Sequence, residues 1–294
     1  VSIANTINMP SGKIELIART GNVAVTGVLG VDGTAQTFND LVRYADAGSI
    51  VLQANAGNVQ LLPGSVVSVA AASGGGNSGT LKVLAPGGTL ESAGTLRGTA
   101  GTGGTAGQFI LDARGVADFA ALNTGLDAGG FFESRDFRIR TGDVVVAGTH
   151  RARSYVLSTD AGSIMVNGTI DASGKTGGSI QLSANGNLVL ASGAVLTAAA
   201  EEFNAAGKGG QIQLAAGSQI NGVVNNTATL DLRTGSQILL TVADFVAGDI
   251  NTVGSSAFHG QFTGTLQLRA PRTANDVGVA AIGSDIRGAS SVLV

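Results

Sequence analysis

Hydrophobic and polar residues alternate in short segments along the whole chain of 294 residues. The recurring phrase is a glycine, any residue, an apolar residue, any residue and a second apolar residue, as in 178–182. Alternation with a period of two over about five residues is typical of a short strand with one buried face. The phrase begins at Gly12, Gly48, Gly79, Gly162, Gly178, Gly210 and Gly264, with a variant at Gly107. The pattern therefore predicts a repetitive all-β chain.

Further short strands are predicted between these phrases. Segments 179–183, 187–191 and 194–197 alternate in the same way, with Asn-Gly and Ser-Gly pairs between them. Hairpins would explain such neighbours, but a stack of hairpins exposes edge strands that these segments do not protect with charge. A chain that coils and pairs each turn in parallel with the next satisfies its backbone groups. We therefore predict a single-stranded parallel β-helix with roughly 20 to 30 residues per coil and about ten to fourteen coils.

The same pattern predicts which side chains face the core. Outward-facing positions are predicted at Glu15, Lys82, Gln181, Gln213 and Gln267. The predicted inward row, stacked like on like, consists of Ile14, Leu16, Ile50, Leu52, Ile164, Val166, Ile180, Leu182, Ile212, Leu214, Leu266 and Leu268. A long and narrow core of aliphatic side chains is expected, since aromatic residues make up only 4% of the chain.

We predict one continuous β-helix over residues 1–294, interrupted by loops that leave the stack. The loops are expected near 32–46, 92–107, 113–130 and 200–209, and the glycine-rich run 98–107 is expected to be mobile. Short helical turns are predicted at 39–44, 117–122 and 241–245, because no longer window keeps the apolar spacing of a helix.

Composition excludes several classes of protein. The chain has 46 glycines but only 4 prolines, and the glycines do not recur at every third position, which excludes collagen. A hydrophobic fraction of 44% with a net charge of −3 is unlike a disordered chain. The same charge balance provides no basic patch for nucleic acid, so no nucleic-acid partner is expected. Without cysteine there is no disulfide and no thiolate site.

Three segments resemble the filamentous haemagglutinin-type exoproteins of bacterial two-partner secretion. They are 131–144 (FFESRDFRIRTGDV), 168–174 (GTIDASG) followed by 177–180 (GGSI), and 264–272 (GTLQLRAPR). The resemblance as a whole covers the chain from about residue 80 to the end. It implies a right-handed β-helical shaft, export through a dedicated outer-membrane transporter, and display as an adhesin. None of the four prolines follows an asparagine, so the Asn-Pro-Asn-Leu phrase of the secretion domain is absent. We therefore expect a downstream shaft segment of a longer exoprotein, with the transporter-recognition region outside this chain.

The resemblance and the repeats together predict a non-enzymatic structural shaft or adhesin segment, located outside the cell or on the bacterial surface. The expected partners are the outer-membrane transporter and glycans or proteins on host or neighbouring cells. Two alternatives remain open. One is a carbohydrate-active β-helix enzyme, either a polysaccharide lyase or a hydrolase. The other is a subunit that assembles end to end into an extracellular filament, its last coil accepting the first coil of a neighbour.

The chemistry-bearing residues are few. His150 and His259 are far apart in the sequence and have no zinc-ligand spacing. Two hypotheses explain the charge cluster at 133–153. It is either an acidic-sugar site with an arginine base and Ca²⁺-binding carboxylates, or the outward face of a half-buried strand. The strand face is favoured because arginine outnumbers carboxylate. The cluster comprises Glu133, Arg135, Asp136, Arg138, Arg140, Asp143, His150, Arg151 and Arg153. No catalytic, cofactor-binding or metal-binding residue is assigned, and no cofactor is expected.

Two glycine-rich segments imitate nucleotide-binding motifs. The run 101–106 matches a loose dinucleotide fingerprint, and 168–176 ends like a phosphate-binding loop. Both motifs need a helix to follow the glycines, whereas a strand phrase follows each segment here. We therefore predict turns at both places. The sequons at Asn167 and Asn225 match the frequency expected by chance at this composition.

Overall fold

A computed structural model of the chain describes residues 1–201, 209–218, 225–242, 264–272 and 276–294. It is nearly all β, with a single helix among these residues. The chain divides into two compact units, Val1–Arg140 (unit 1) and Thr141–Val294 (unit 2). Each unit is a stack of short strands, and each is described by itself.

Unit 1 is built of fourteen strands and one α-helix. They are β1 (Ser2–Ile3), β2 (Thr6–Asn8), β3 (Lys13–Ala18), β4 (Val23–Val25), β5 (Val28–Gly30), β6 (Thr34–Phe38), β7 (Leu41–Ala45), β8 (Ser49–Ala54), β9 (Val59–Leu61), β10 (Val66–Ser68), β11 (Thr80–Ser92), β12 (Thr95–Arg97), β13 (Gln108–Val116), α1 (Phe119–Ala128) and β14 (Ser134–Ile139).

The strands of unit 1 return to the same sheet once per coil. Sheet A is formed by β3, β8, β11, β13 and β14, all paired in parallel. Sheet B consists of β1, β4, β9 and the last residues of β11, and sheet C of β2, β5, β10 and β12. The exception is the antiparallel hairpin of β6 and β7.

In its described residues, unit 2 contains fifteen strands. They are β15 (Val144–Val146), β16 (Thr149–Arg151), β17 (Ser154–Thr159), β18 (Ile164–Val166), β19 (Thr169–Asp171), β20 (Ser179–Ala184), β21 (Leu188–Leu190), β22 (Val195–Thr197), β23 (Gln211–Ala215), β24 (Leu230–Leu232), β25 (Gln237–Leu239), β26 (Gly264–Arg269), β27 (Val279–Ile282), β28 (Asp285–Arg287) and β29 (Ala289–Leu293).

From β18 onward, each strand of unit 2 pairs in parallel with the strand three places before it in the chain. Sheet D contains β17, β20, β23, β26 and β29. Sheet E contains β15, β18, β21, β24 and β27, and sheet F contains β16, β19, β22, β25 and β28. Three strands per coil, each stacked on its equivalent in the next coil, define a parallel β-helix. The predicted fold class is confirmed.

The predicted inward side chains are buried, with Leu16 half-buried at the first coil of sheet A. In sheet D, Ile180 lies opposite Ile212, which lies opposite Leu266, so like residues stack along the core. The single predicted row is wrong in one respect, because Ile164 and Val166 belong to sheet E and stack on Leu188 and Leu190. The core is lined from three sides, and each side has its own row.

The glycines that precede the strands of sheet A stand where no side chain fits. A Cβ atom on Gly48 would lie 1.7 Å from the carbonyl oxygen of Gly12, and one on Gly79 would lie 1.8 Å from that of Gly48. The same carbonyls accept hydrogen bonds from the next coil, at 3.0 Å from the nitrogen of Ser49 and 3.2 Å from that of Thr80. These glycines therefore let successive turns approach to hydrogen-bonding distance.

We expect Gly48→Ala to destabilise the chain by roughly 2 to 4 kcal/mol, because the backbone of two coils must separate to admit the methyl group. Urea unfolding followed by circular dichroism measures this loss. Gly21→Ala is the matched control, since a Cβ atom there meets nothing within 4 Å. Equal unfolding midpoints for the two variants would contradict the close approach of the turns.

Polar side chains cap the turns that lead into sheets B and E. The side-chain oxygen of Asn22 accepts from the backbone nitrogen of Asn58 at 2.9 Å, and that of Asn58 accepts from Thr89 at 2.9 Å. In unit 2, Asn187 caps the backbone nitrogen of Thr229 at 2.8 Å in the same manner. The residue after the glycine therefore has a function that the period-two pattern alone does not show: it satisfies a backbone donor of the following coil.

The predicted loops have definite structures. The segment 32–46 forms the β6–β7 hairpin, and no helical turn occurs at 39–44. The predicted loop 92–107 is wrong in its first part, because β12 lies within it and stacks in sheet C. The run 98–107 has no strand but is tied to the preceding coil, where Gly101 and Thr102 donate to the carbonyls of Gly76 and Ser73. The segment 113–130 contains the end of β13 and α1, so a helix does form near 117–122. Most of 200–209 and of 241–245 lies outside the described residues.

Candidate functional site

The structure overturns the predicted outward position of Arg135. Its side chain is fully buried on β14, on the same face as Phe137 and Ile139. The guanidinium donates to the carbonyl oxygen of Phe131 at 3.0 Å and pairs with the Asp127 carboxylate at 2.5 Å. The charge of an arginine favours an outward position, but helix α1 supplies the acceptors that make burial on this face possible. Arg135 therefore anchors α1 to the stack and is not exposed to a substrate.

Arg138 on β14 and Arg140, which directly follows the strand, do lie on the outward face. Arg140 makes two hydrogen bonds to the carboxylate of Asp112 on β13, at 2.7 and 2.9 Å, and Arg138 approaches the same carboxylate at 3.7 Å. The outward-strand interpretation is therefore confirmed for these two arginines. Two cations around one carboxylate form a cross-strand ion pair and leave no cluster of acidic oxygens for Ca²⁺.

The pKa values of two carboxyl groups on this face are shifted in opposite directions. The pKa of Asp112 lies below its ordinary value because Arg140 donates hydrogen bonds to the charged form. The pKa of Asp136 lies above its ordinary value, first because of partial burial and second because of the negative charge of Asp112. The two groups therefore affect stability with opposite signs as the pH changes.

We expect Asp112→Asn to destabilise unit 1 at neutral pH by about 1 kcal/mol or less, since the pair is partly exposed. The contribution of Asp112 to stability is complete above the ordinary carboxyl pKa and is lost as the pH falls through its lowered folded value.

Asp136→Asn is expected to raise the unfolding midpoint at neutral pH. This gain should vanish at acid pH, where Asp136 is protonated in both the folded and unfolded states. Urea midpoints measured from pH 3 to 7 test both signs, and parallel curves for the two variants would contradict them.

The cluster residues of unit 2 occupy several faces. Asp143 caps the turn before β18 by accepting from the nitrogen of Ser163 at 2.7 Å. His150 is buried on β16 in register with Ile170, and its Nε2 atom lies 2.6 Å from the carbonyl oxygen of Ala147. Arg151 and Arg153 are exposed. These residues are close together in the sequence, but the fold does not bring them together into one site.

The other candidate motifs are placed as turns or lie outside the described part. A strand follows each nucleotide-motif imitation, β13 after 101–106 and β20 after 168–176. The predicted turn at 101–106 is confirmed, whereas the prediction for 168–176 is wrong in part, because 169–171 form β19 and only the residues after it connect to β20. His259 lies outside the described residues. Within the described ranges, no group of three or more His, Cys, Asp or Glu residues could hold a metal ion.

A groove of about 600 Å³ lies on the outward face of sheet D. We call it the D-face groove. Its floor is formed by side chains from consecutive coils, with Ser158 opposite Ser183 and Gln181 opposite Gln213. All of its lining residues belong to unit 2: Ser158, Gln181, Ser183, Gln213, Ala215, Ala216, Gly217, Ser218, Arg269, Ala270 and Pro271.

The floor of the D-face groove has unused hydrogen-bonding capacity. The side chains of Gln181, Ser183 and Gln213 make no hydrogen bond to the part of the chain that the structure describes. The outward amide of Gln60, in comparison, is paired with Glu91 at 3.0 Å. The hydroxyl of Ser218 is buried without a partner among the described residues. An amide both donates and accepts, so this surface is prepared for a ligand with both kinds of group.

Arg269 is the only charged residue among the described residues that line the D-face groove. It is exposed at the end of β26 and lies in register with Ala215. No ion pair or side-chain hydrogen bond joins its guanidinium to the described residues. Within the described part of the chain, the groove thus combines one cation that has no ion-pair partner there with neutral amides and hydroxyls.

The sequence contained part of the signal for this groove. Period-two alternation placed Gln181 and Gln213 outward, and both are half-exposed. It did not indicate that these glutamines meet across coils, because only the pairing register sets them opposite each other. The walls at 215–218 and 269–271 come from separate parts of the chain, which tertiary structure alone brings together.

Among the described residues, no helix has the length and apolar character needed to cross a membrane. In comparisons with known proteins, the chain matches no protein-family model and has no significant match among curated proteins or solved structures.

Proposed function

We propose that this chain is a non-enzymatic shaft or adhesin segment of a secreted, surface-displayed bacterial filamentous protein. The observation that carries the proposal is that each strand pairs with the equivalent strand of the next coil, three strands further along the chain. Such a stack grows by repetition, and each coil buries its apolar row against the next. A fold of this kind is suited to holding surfaces at a distance and displaying them.

The resemblance to two-partner secretion exoproteins supports the location in this proposal. Export would proceed through an outer-membrane transporter that recognises a region outside this chain. The absence of cysteine agrees with this route, because a chain that crosses membranes unfolded needs no oxidation in order to fold. Adhesion would use the outward faces and the excursions, of which the β6–β7 hairpin is the most exposed in unit 1.

Surface labelling of the cells that produce the protein tests the proposal. We expect antibodies raised against the folded chain to label intact cells, and protease added outside the cells to remove that label. Permeabilised cells provide the control for total protein. Labelling that requires permeabilisation would contradict surface display, and loss of the gene without any change in cell adhesion would contradict the adhesin role.

A further inference from the structure

We infer that the D-face groove binds an acidic oligosaccharide, with Arg269 as the partner of a sugar carboxylate and the stacked amides as partners of its hydroxyls. The inference deepens the adhesin role proposed above and rests on it. It starts from the groove of about 600 Å³ and from the side chains of Gln181, Ser183 and Gln213, which make no hydrogen bond to the described residues.

The chemistry of the floor selects a ligand rich in hydroxyl groups. Gln181, Gln213 and Ser183 offer donors and acceptors side by side, and a sugar hydroxyl is itself a donor and an acceptor. Successive strands of a sheet are about 4.8 Å apart, which is close to the length of one pyranose unit in an extended chain. A glycan lying across the coils would therefore present one sugar to each stacked amide.

The groove does not suit a peptide ligand. Strand addition needs an unpaired sheet edge, whereas β20 and β23 are each paired on both sides. Protein docking sites are centred on large apolar or aromatic anchors. Among the described lining residues, the apolar side chains are those of alanines and Pro271. The groove therefore offers a ligand side-chain hydrogen bonds, and glycans bind through such hydrogen bonds.

The charge of the groove selects an acidic glycan. Arg269 has no carboxylate among the other lining residues, and a guanidinium pairs with a carboxylate through two parallel hydrogen bonds. A uronic acid or a sialic acid supplies that carboxylate together with hydroxyls for Gln213 and Gln181. A neutral glycan would leave the cation without a partner.

Isothermal titration calorimetry of the whole 294-residue chain tests the inference, with hexagalacturonate as the probe. We expect hexagalacturonate to bind at low salt, cellohexaose to bind far more weakly, and added salt to weaken the acidic ligand. Arg269→Gln should weaken hexagalacturonate by roughly 10- to 100-fold, the usual effect of losing a hydrogen bond to a charged group. Gln213→Leu should weaken it by about tenfold or less.

Arg97→Gln is the matched control, since it removes the same charge from an exposed strand position in unit 1. It should leave hexagalacturonate binding unchanged, and circular dichroism checks that every variant is folded. Equal binding of cellohexaose, full binding by Arg269→Gln, or no binding at all would overturn the inference. Equal binding of a hexaglutamate peptide would also overturn it, because the groove would then select charge and not sugar. Surface labelling that succeeds while titration fails removes the groove ligand alone, and the reverse result removes the proposed function.

Discussion

Replacing Ile180 with aspartate is expected to unfold the coils around sheet D. Ile180 is fully buried on β20, in register with Tyr155 on one side and Ile212 on the other. An unpaired carboxylate in this dry row has no partner and no water, so the loss is expected to be roughly 4 kcal/mol or more. Urea unfolding measures the loss, and limited proteolysis locates it in unit 2.

Gln181→Asp is the control for this experiment. It introduces the same carboxylate one residue later, on the half-exposed outward face of the same strand. The expected cost is about 1 kcal/mol or less, within the range of strand propensities. A folded Ile180→Asp protein with normal stability would refute the assignment of inward and outward faces in sheet D.

Replacing Arg135 with alanine is expected to cost roughly 3 to 5 kcal/mol, as is usual when one member of a buried ion pair is removed. The guanidinium is fully buried and holds Asp127 and Asn123 of α1, as well as the carbonyl of Phe131. Without it, α1 loses its polar attachment to β14. The helix is then held by apolar contacts, which include the edge-to-face contact of Phe119 and Phe137 at 5.1 Å between ring centres and the buried Leu122 and Leu126.

A double variant separates the cost of the stranded charge from the cost of lost packing. Arg135→Met with Asp127→Asn removes both charges and keeps an unbranched side chain in the core, so it should recover much of the stability. Arg138→Ala is the surface control on the same strand and should cost about 1 kcal/mol or less. Equal losses for Arg135→Ala and Arg138→Ala would contradict the anchoring role. Hydrogen exchange of the α1 amides reports the detachment directly.

Much of the fold is predictable from the sequence because a strand alternates its side chains strictly. The period-two phrases correctly indicated that Ile180 and Leu182 point inward and that Gln181 points outward. The glycine of each phrase marked the point where two turns approach, as Gly48 does over Gly12. These features are local, since they depend only on residues within one strand and its preceding turn.

Register and partnership are not local, and there the sequence was insufficient. Ile164 and Ile180 carry the same phrase but belong to sheets E and D, because the phrase does not record on which side of the coil a strand lies. Arg135 faces inward with Phe137 and Ile139 although its charge favoured the surface, because its acceptors come from a helix outside the repeat. The D-face groove likewise exists only where coils are stacked.

Residue order alone predicts the short strands, their apolar faces and the glycines at which the coils turn. The stacking of particular strands, the anchoring by Arg135 and the surface shared by Gln181, Gln213 and Arg269 depend on the folded structure. The physical reason is that alternation and turn formation are local properties of the chain, set by backbone geometry. Partners for a buried charge or a shared ligand come from residues far apart in the sequence, and the stacking of the coils selects them.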